Sequence, residues 1–219
     1  MGGTPITSTS CSLRSRPASR GSPVSSPNCD DVSNRHDLTR LPPDLPVPQD
    51  DGACDHLAGR RVPAIALPST AGRPVDLSTL SGRTVVYCYP RTGRPDVPVP
   101  AGWDAIPGAR GCTPQSCAFR DRHREFQALG VGVFGLSTQT TEDQREAAER
   151  LQLPMELLSD ARLAFARALD LPTFEFEGMV LIKRLTLVAL DGRITKVFYP
   201  VFPPDANARE VLAWLRGGA

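Results

Sequence analysis

The run Thr84-Val85-Val86-Tyr87-Cys88-Tyr89 is apolar without a break, the pattern of a strand buried on both faces. Such a strand needs cover on each side of its sheet, and the segments C-terminal to it supply that cover. Ser116–Leu129 reads as a helix with Phe119, Phe126 and Leu129 on one face. Val131–Leu136 is a second buried strand, and Thr141–Leu151 is a helix with Glu and Arg outward, stopped before Pro154. Glu156–Leu158 is a short strand, and Ala161–Leu169 a helix opened by Asp160. Lys183–Leu190 and Ile194–Tyr199 are strands joined at Asp191-Gly192, a hairpin signal. Ala208–Arg216 is a terminal helix with Val211, Leu212 and Leu215 inward. Two short extended pieces flanking Ala71-Gly72 precede the first strand. This order describes a central mixed β-sheet flanked by helices, and an α/β domain of thioredoxin-like fold satisfies it.

The domain occupies residues 57–219. Residues 1–51 are rich in Ser, Pro and Arg with no persistent period, and read as a disordered extension. Met1 to Cys29 carries Arg14, Arg16 and Arg20 but no acidic residue, a composition that resembles an organelle transit peptide. A plain extension or an early start codon is the competing reading, and a cytoplasmic location is the working expectation. A net charge of +1 over 219 residues gives no field to draw the chain to nucleic acid. No apolar run reaches the roughly 20 residues that a membrane span needs.

Chemistry concentrates in Gly111-Cys112-Thr113-Pro114-Gln115-Ser116-Cys117-Ala118-Phe119-Arg120-Asp121. Thr113 reads as the cap and Pro114 as the first residue of the helix. Cys112 then lies at a helix N-terminus, where unpaired N–H groups and the dipole favour a thiolate. A thiolate there can reduce a peroxide and become a sulfenic acid, and a second thiol can condense with it to a disulfide. Cys117 supplies that thiol. Five residues of helix rise about 7.5 Å, whereas a disulfide rarely spans more than about 7 Å between Cα atoms. Closing the bond requires local unwinding. Of the other cysteines, Cys88 reads as a packed core thiol, and Cys11 and Cys29 as incidental. A zinc site would have to recruit His123 and Cys54 at unusual spacing. A C-x-x-C motif is absent, and His123 sits in a charged run that reads as solvated surface. The segment 91–110 is Pro/Gly-rich and reads as a long loop, anchored on the domain by Trp103.

The 111–121 stretch resembles the peroxiredoxins, specifically the bacterioferritin-comigratory-protein or Q-type branch with its G-C-T-x-x-x-C-x-F-R-D pattern. Leu153–Asp160 resembles the family's LPxxLLSD segment, and Arg184-Leu185-Thr186-Leu187-Val188 before Asp191-Gly192 its RxTFLID strand. The resemblance runs from about Val62 to Leu215. It implies Cys112 as the peroxidatic cysteine, Cys117 as the resolving cysteine, and Arg184 as the arginine that stabilises thiolate and peroxide. It implies a peroxide substrate, thioredoxin or another dithiol as reductant, no metal, haem or flavin cofactor, and a monomer or weak dimer. The family's P-x-x-x-T-x-x-C motif is altered. Ala109 and Ala105 stand where Thr and Pro are expected, and about fifteen extra residues separate Tyr89-Pro90 from Cys112. Pro90 is expected to shield the sulfur, and Thr92 to replace the missing hydroxyl. A non-catalytic redox switch and a thiol–disulfide oxidoreductase acting on proteins are the alternative functions.

Overall fold

A computed structural model describes residues 1–3 and 37–218. Its centre is a five-stranded mixed sheet built from β3 (Arg83–Cys88), β4 (Gly132–Ser137), β5 (Glu156–Ser159), β8 (Leu185–Leu190) and β9 (Arg193–Phe198). The spatial order is β5-β4-β3-β8-β9. β3 pairs in parallel with β4, and antiparallel with β8. Two hairpins flank the sheet, β1 (Ala66–Pro68) with β2 (Pro74–Asp76), and β6 (Thr173–Phe176) with β7 (Met179–Ile182). The helices are α1 (Cys112–Asp121), α2 (His123–Ala128), α3 (Thr141–Arg150), α4 (Ala164–Leu169) and α5 (Asn207–Arg216).

The period of β3 divides the core. Val86 and Cys88 face one layer, with Leu67, Val75, Phe165 and Leu169 of the β1–β2 hairpin and α4. Val85, Tyr87 and Tyr89 face the other, with Phe119 of α1, Phe126 of α2, and Val211, Leu212 and Leu215 of α5. Tyr87 stacks on Phe119 at 4.4 Å between ring centroids, and Phe119 on Phe126 at 5.6 Å. Such ring pairs add about 0.5–1.5 kcal/mol each beyond the area they bury. They fix the C-terminal half of α1 to the sheet. Cys88 is fully buried and its thiol is pushed up by loss of solvent, which fits a packing role.

The strands and helices read from sequence are present with shifted ends, and three differences matter. The expected helix of residues 116–129 is two helices starting earlier, broken at Arg122 (φ −107°, ψ 8°). Cys112 is its first residue, Gly111 the cap position, and Pro114 the third residue, where a missing N–H still costs no helical bond. The β6–β7 hairpin has no counterpart among the expected elements, although Thr173-Phe174-Glu175-Phe176 alternates and Glu177-Gly178 forms the turn; each of its strands is only four residues long. The third difference is the extension. Its residues 4–36, with Cys11 and Cys29, lie outside the described residues, but residues 37–51 pack on the domain. Asp51 accepts hydrogen bonds from Lys183 Nζ and Tyr199 Oη, both at 2.8 Å. Those donors hold its carboxyl down at about 2. A proline-rich strap has no secondary structure to announce it, so only its contacts show that it is ordered. Asp160 fares better as an expectation. Its carboxylate accepts from the amides of Phe165 (3.0 Å) and Ala166 (2.8 Å), capping α4 from a position four residues before the helix.

Strap and helix meet at Gly111, whose φ of 100° already favours glycine. A Cβ there would overlap Pro204 and lie 2.7 Å from Leu41 Cδ2. Gly111→Ala is expected to lower unfolding free energy by about 1–3 kcal/mol. Urea denaturation checks this, and an unchanged midpoint would refute the close packing at Gly111.

Candidate active site

The site lies where the loop after β3 returns to the sheet at the N-terminus of α1. Gly111 turns the chain through the left-handed region, so Cys112 begins the helix, in the same core layer as Tyr87 and Tyr89. Cys112 is 3 % exposed. Arg184, two residues past β7 and just before β8, reaches it. Its Nη2 donates to Cys112 Sγ at 3.2 Å. The same nitrogen lies 3.1 Å from the carbonyls of both Ala109 and Arg110, and Nε donates to the carbonyl of Gly108 at 3.2 Å. Nη1 donates to Gln115 Oε1. Arg184 is itself buried, so every one of these partners offsets the cost of a desolvated cation. The guanidinium is thus held on three consecutive carbonyls, and its remaining reach is toward the sulfur.

Gln115 continues the network inward. Its Nε2 donates to Asn207 Oδ1 at 3.0 Å, and Thr186 Oγ1 donates to the same oxygen at 2.7 Å. All three side chains are fully buried. The chain of bonds joins α1, β8 and α5 behind the cysteine. Sequence reasoning misses Gln115 and Asn207. Gln115 stands inside the Cys112–Cys117 segment, but its partners lie 69 and 92 residues away and no local pattern links them.

Cys117 sits in the same regular helix, partly buried, and is a free thiol like Cys112. Burial raises its pKa above the ordinary 9.0. Five positions apart on one helix, the two sulfurs face different directions and cannot bond without unwinding. Cys54 is also buried, and its thiol is pushed up to about 12 by burial and by neighbouring carboxylates. His123 is not the solvated side chain expected. It is partly buried, its Nδ1 has no hydrogen-bond partner among the described residues, and burial lowers its pKa.

A cavity of about 70 Å³ opens onto Cys112, enough for a small oxidant. Leu38 of the strap, Trp103 of the loop and Thr113 of α1 are among its walls. Trp103 is buried against Phe174 and Phe176 of β6 at 6.1 and 5.0 Å between ring centroids, anchoring the loop as expected from its composition. Pro90 is buried at the end of β3. Thr92 is buried too, but its amide and hydroxyl both donate to Gln139 Oε1, at 2.8 and 3.1 Å. Its single hydroxyl proton is therefore taken by Gln139 and not by the sulfur, contrary to the role expected for it. Gln139, just after β4, holds Thr92 from both sides, since Gln139 Nε2 also donates to the Thr92 carbonyl at 3.3 Å.

No group of three or more metal-ligating side chains occurs among the described residues, and no helix there is long and apolar enough to cross a membrane. A buried cysteine at a helix start, an arginine on its sulfur, a cavity in front and a second thiol in the same helix together suit the capture of an electrophilic oxygen. Comparison with known proteins agrees. The Redoxin family profile matches residues 57–212. A chloroplastic peroxiredoxin Q of Sedum lineare is 30% identical over 159 residues, covering 72% of this chain and 77% of that protein. A putative peroxiredoxin of Mycobacterium tuberculosis is 30% identical over 161 residues, 72% of this chain and 95% of that one. The crystal structure of the M. tuberculosis peroxidoxin BcpB superposes with a TM-score of 0.61 at 30% identity, over 74% of this chain and 97% of that chain. Xanthomonas campestris peroxiredoxin Q shares the fold, with a TM-score of 0.56 at 22% identity over 80% of this chain and 98% of that chain. With its thioredoxin-like fold and this cysteine–arginine site, the chain belongs to the redoxin family, and within it is a thiol peroxidase of the peroxiredoxin Q type.

Proposed function

We propose that the enzyme works as a two-cysteine peroxidase in which Cys112 is oxidised, Cys117 resolves it, and Arg184 positions and stabilises the reacting groups. The observation that carries this assignment is the 3.2 Å contact between Arg184 Nη2 and the sulfur of Cys112, a residue that lines the cavity. The Cys112 thiolate attacks the terminal oxygen of the peroxide, and the O–O bond breaks. The leaving alkoxide or hydroxide takes up a proton, and the sulfur becomes a sulfenic acid. Negative charge moves from sulfur to the leaving oxygen during this step. The guanidinium is rigid and already desolvated, so it stabilises that charge without reorganising. Pro90 contributes by closing the strand end beside the site.

The second step needs the N-terminal part of α1 to open. Phe119 stays on Tyr87, so unwinding is confined to the turns before it. Opening moves Gln115 and releases its bonds to Arg184 and Asn207. Cys117 then reaches the sulfenic sulfur, forms the S–S bond and expels water. The opened segment presents the disulfide to thioredoxin or a similar dithiol. While the helix is closed, the raised pKa keeps Cys117 protonated near neutrality and so a poor nucleophile. We further propose a cytoplasmic monomer or weak dimer. The plant relatives are named chloroplastic.

Rapid-mixing and mass-spectrometric assays test these roles. Cys112→Ser abolishes peroxide consumption, whereas Cys117→Ser still forms one sulfenic acid per chain but does not turn over with thioredoxin. Undiminished turnover in Cys117→Ser would remove its resolving role. Arg184→Gln slows the first oxidation by about 10²–10³-fold, the usual loss for one pre-organised donor; a loss under about threefold would remove Arg184 from the chemistry. In reduced Cys112→Ser, alkylation of Cys117 keeps rising with pH beyond the ordinary thiol value of 9.0. The sign comes from a raised pKa, which leaves less thiolate at each lower pH. A plateau below that value would contradict the burial of Cys117 in the closed helix.

A further inference from the structure

The strap of residues 37–51 precedes the span 57–212 that the redoxin profile matches, yet it bears on the residues that lead into α1. Leu41 packs on Gly111, with its Cδ2 2.7 Å from where a Cβ would stand. The carbonyl of Asp37 accepts from Arg110 Nη2 at 3.2 Å. Pro48 lies against Gly108, its Cγ 3.6 Å from the corresponding position there. Leu38 packs on Gly93 and lines the cavity before Cys112. Gly108, Arg110 and Gly111, all just before Cys112, therefore carry the strap. At its other end Asp51 is held by Lys183 and Tyr199. Among the described residues no backbone–backbone hydrogen bond ties residues 37–51 to the domain. The 37–41 end is thus docked on a surface that the start of α1 itself completes.

That surface exists only while α1 is closed. The first bond of the helix runs from the Gln115 N–H to the Gly111 carbonyl at 3.0 Å. Unwinding the turns around Cys112 breaks it, the Gly111 peptide leaves its place at the cap, and Leu41 loses its seat. Pro42, Pro43, Pro46 and Pro48 keep the strap extended, so its 37–41 end moves off as a unit while Asp51 tethers the rest. We propose that the Cys112–Cys117 disulfide releases the 37–41 end of the strap, which is docked in the reduced enzyme and undocked in the oxidised one. This rests on the reading of Cys117 as the resolving thiol, and adds to it a redox-controlled arm. The step that drives release is Cys112–SOH plus Cys117–SH, giving the S–S bond and water; the peroxide has already supplied the oxidising equivalents. The coupling is reciprocal. A disulfide that loosens the strap is itself favoured when the strap is loose.

Trypsin reads the docked state, because Arg40 is exposed beside Leu41 and a cut after it needs the strap to leave the domain surface. The full chain is compared reduced and after a stoichiometric amount of hydrogen peroxide. Intact mass follows both the disulfide and the Arg40–Leu41 cut. The cut is expected to be roughly five- to a hundredfold faster in the oxidised chain, the usual range for two coupled sites. Cys117→Ser treated with peroxide keeps the slow rate of the reduced chain. In the reciprocal arm, Leu41→Ala passes from sulfenic acid to disulfide roughly five- to thirtyfold faster, the effect of a lost leucine contact on the open fraction of α1. A disulfide mapped to Cys112 and Cys117 with no change in the Arg40–Leu41 cut would overturn the release and leave the resolving role of Cys117 intact. A fast cut in peroxide-treated Cys117→Ser, or an unchanged disulfide rate in Leu41→Ala, would also overturn it. Absence of the Cys112–Cys117 disulfide would overturn both readings.

Discussion

A buried guanidinium must be compensated on every side, and in this protein that requirement organises the site. Arg184 is held by the carbonyls of Gly108, Ala109 and Arg110, by Gln115 and by the Cys112 sulfur. A lone cation at that depth would cost several kcal/mol. Removing any partner therefore strains the others. The three carbonyls belong to the end of the long loop, so the fold of that loop is tied to the cation. Gln115 belongs to α1, so the helix is tied to it as well. Loop, helix and strand β8 take their relative positions from one side chain.

That dependence links chemistry to conformational change. The reduced enzyme needs α1 closed, because only then do Gln115 and the Cys112 sulfur both face Arg184. A disulfide between Cys112 and Cys117 would need α1 open, because two cysteines five apart in a regular helix cannot bond. The structure distributes stability to suit. Phe119, stacked between Tyr87 and Phe126, fixes the far half of α1. The near half has unpaired N–H groups at its start, a proline at its third position and a glycine at its cap. Opening it gives up few helical bonds. The strap of residues 37–51 bears on the same point, with Leu41 beside Gly111, so the closed state is also held from outside.

Much of the fold is legible in the residues themselves. Unbroken apolar runs mark β3 and β4 because strands buried on both faces leave no polar positions. Asp160 announces a helix start because a carboxylate bonds local amides. That Cys112 sits at a helix start with Cys117 five residues on is legible because both are local features. The expectations that fail have a common cause. Motif position assigns Thr92 to the sulfur, but a hydroxyl goes to the nearest good acceptor, and Gln139 is 47 residues away in sequence. The 37–51 strap has the composition of disordered chain, yet ion pairing of Asp51 to Lys183 and apolar contacts of Leu38 and Leu41 order it.

The sequence alone determined the strands of the central sheet and the helices that cover them, and it set two thiols five residues apart at a helix start, a spacing that a regular helix must open to join. Those properties come from periodicity, residue chemistry and the rise of a helix, all within about a dozen residues. Only the tertiary structure decided which groups surround the sulfur. It placed Arg184 on Cys112 across 72 residues, coupled Gln115 to Asn207 and Thr186, and lined the cavity with the loop and the strap. Contacts of that kind depend on how packed layers bring distant segments together, and burial makes each of them obligatory once formed.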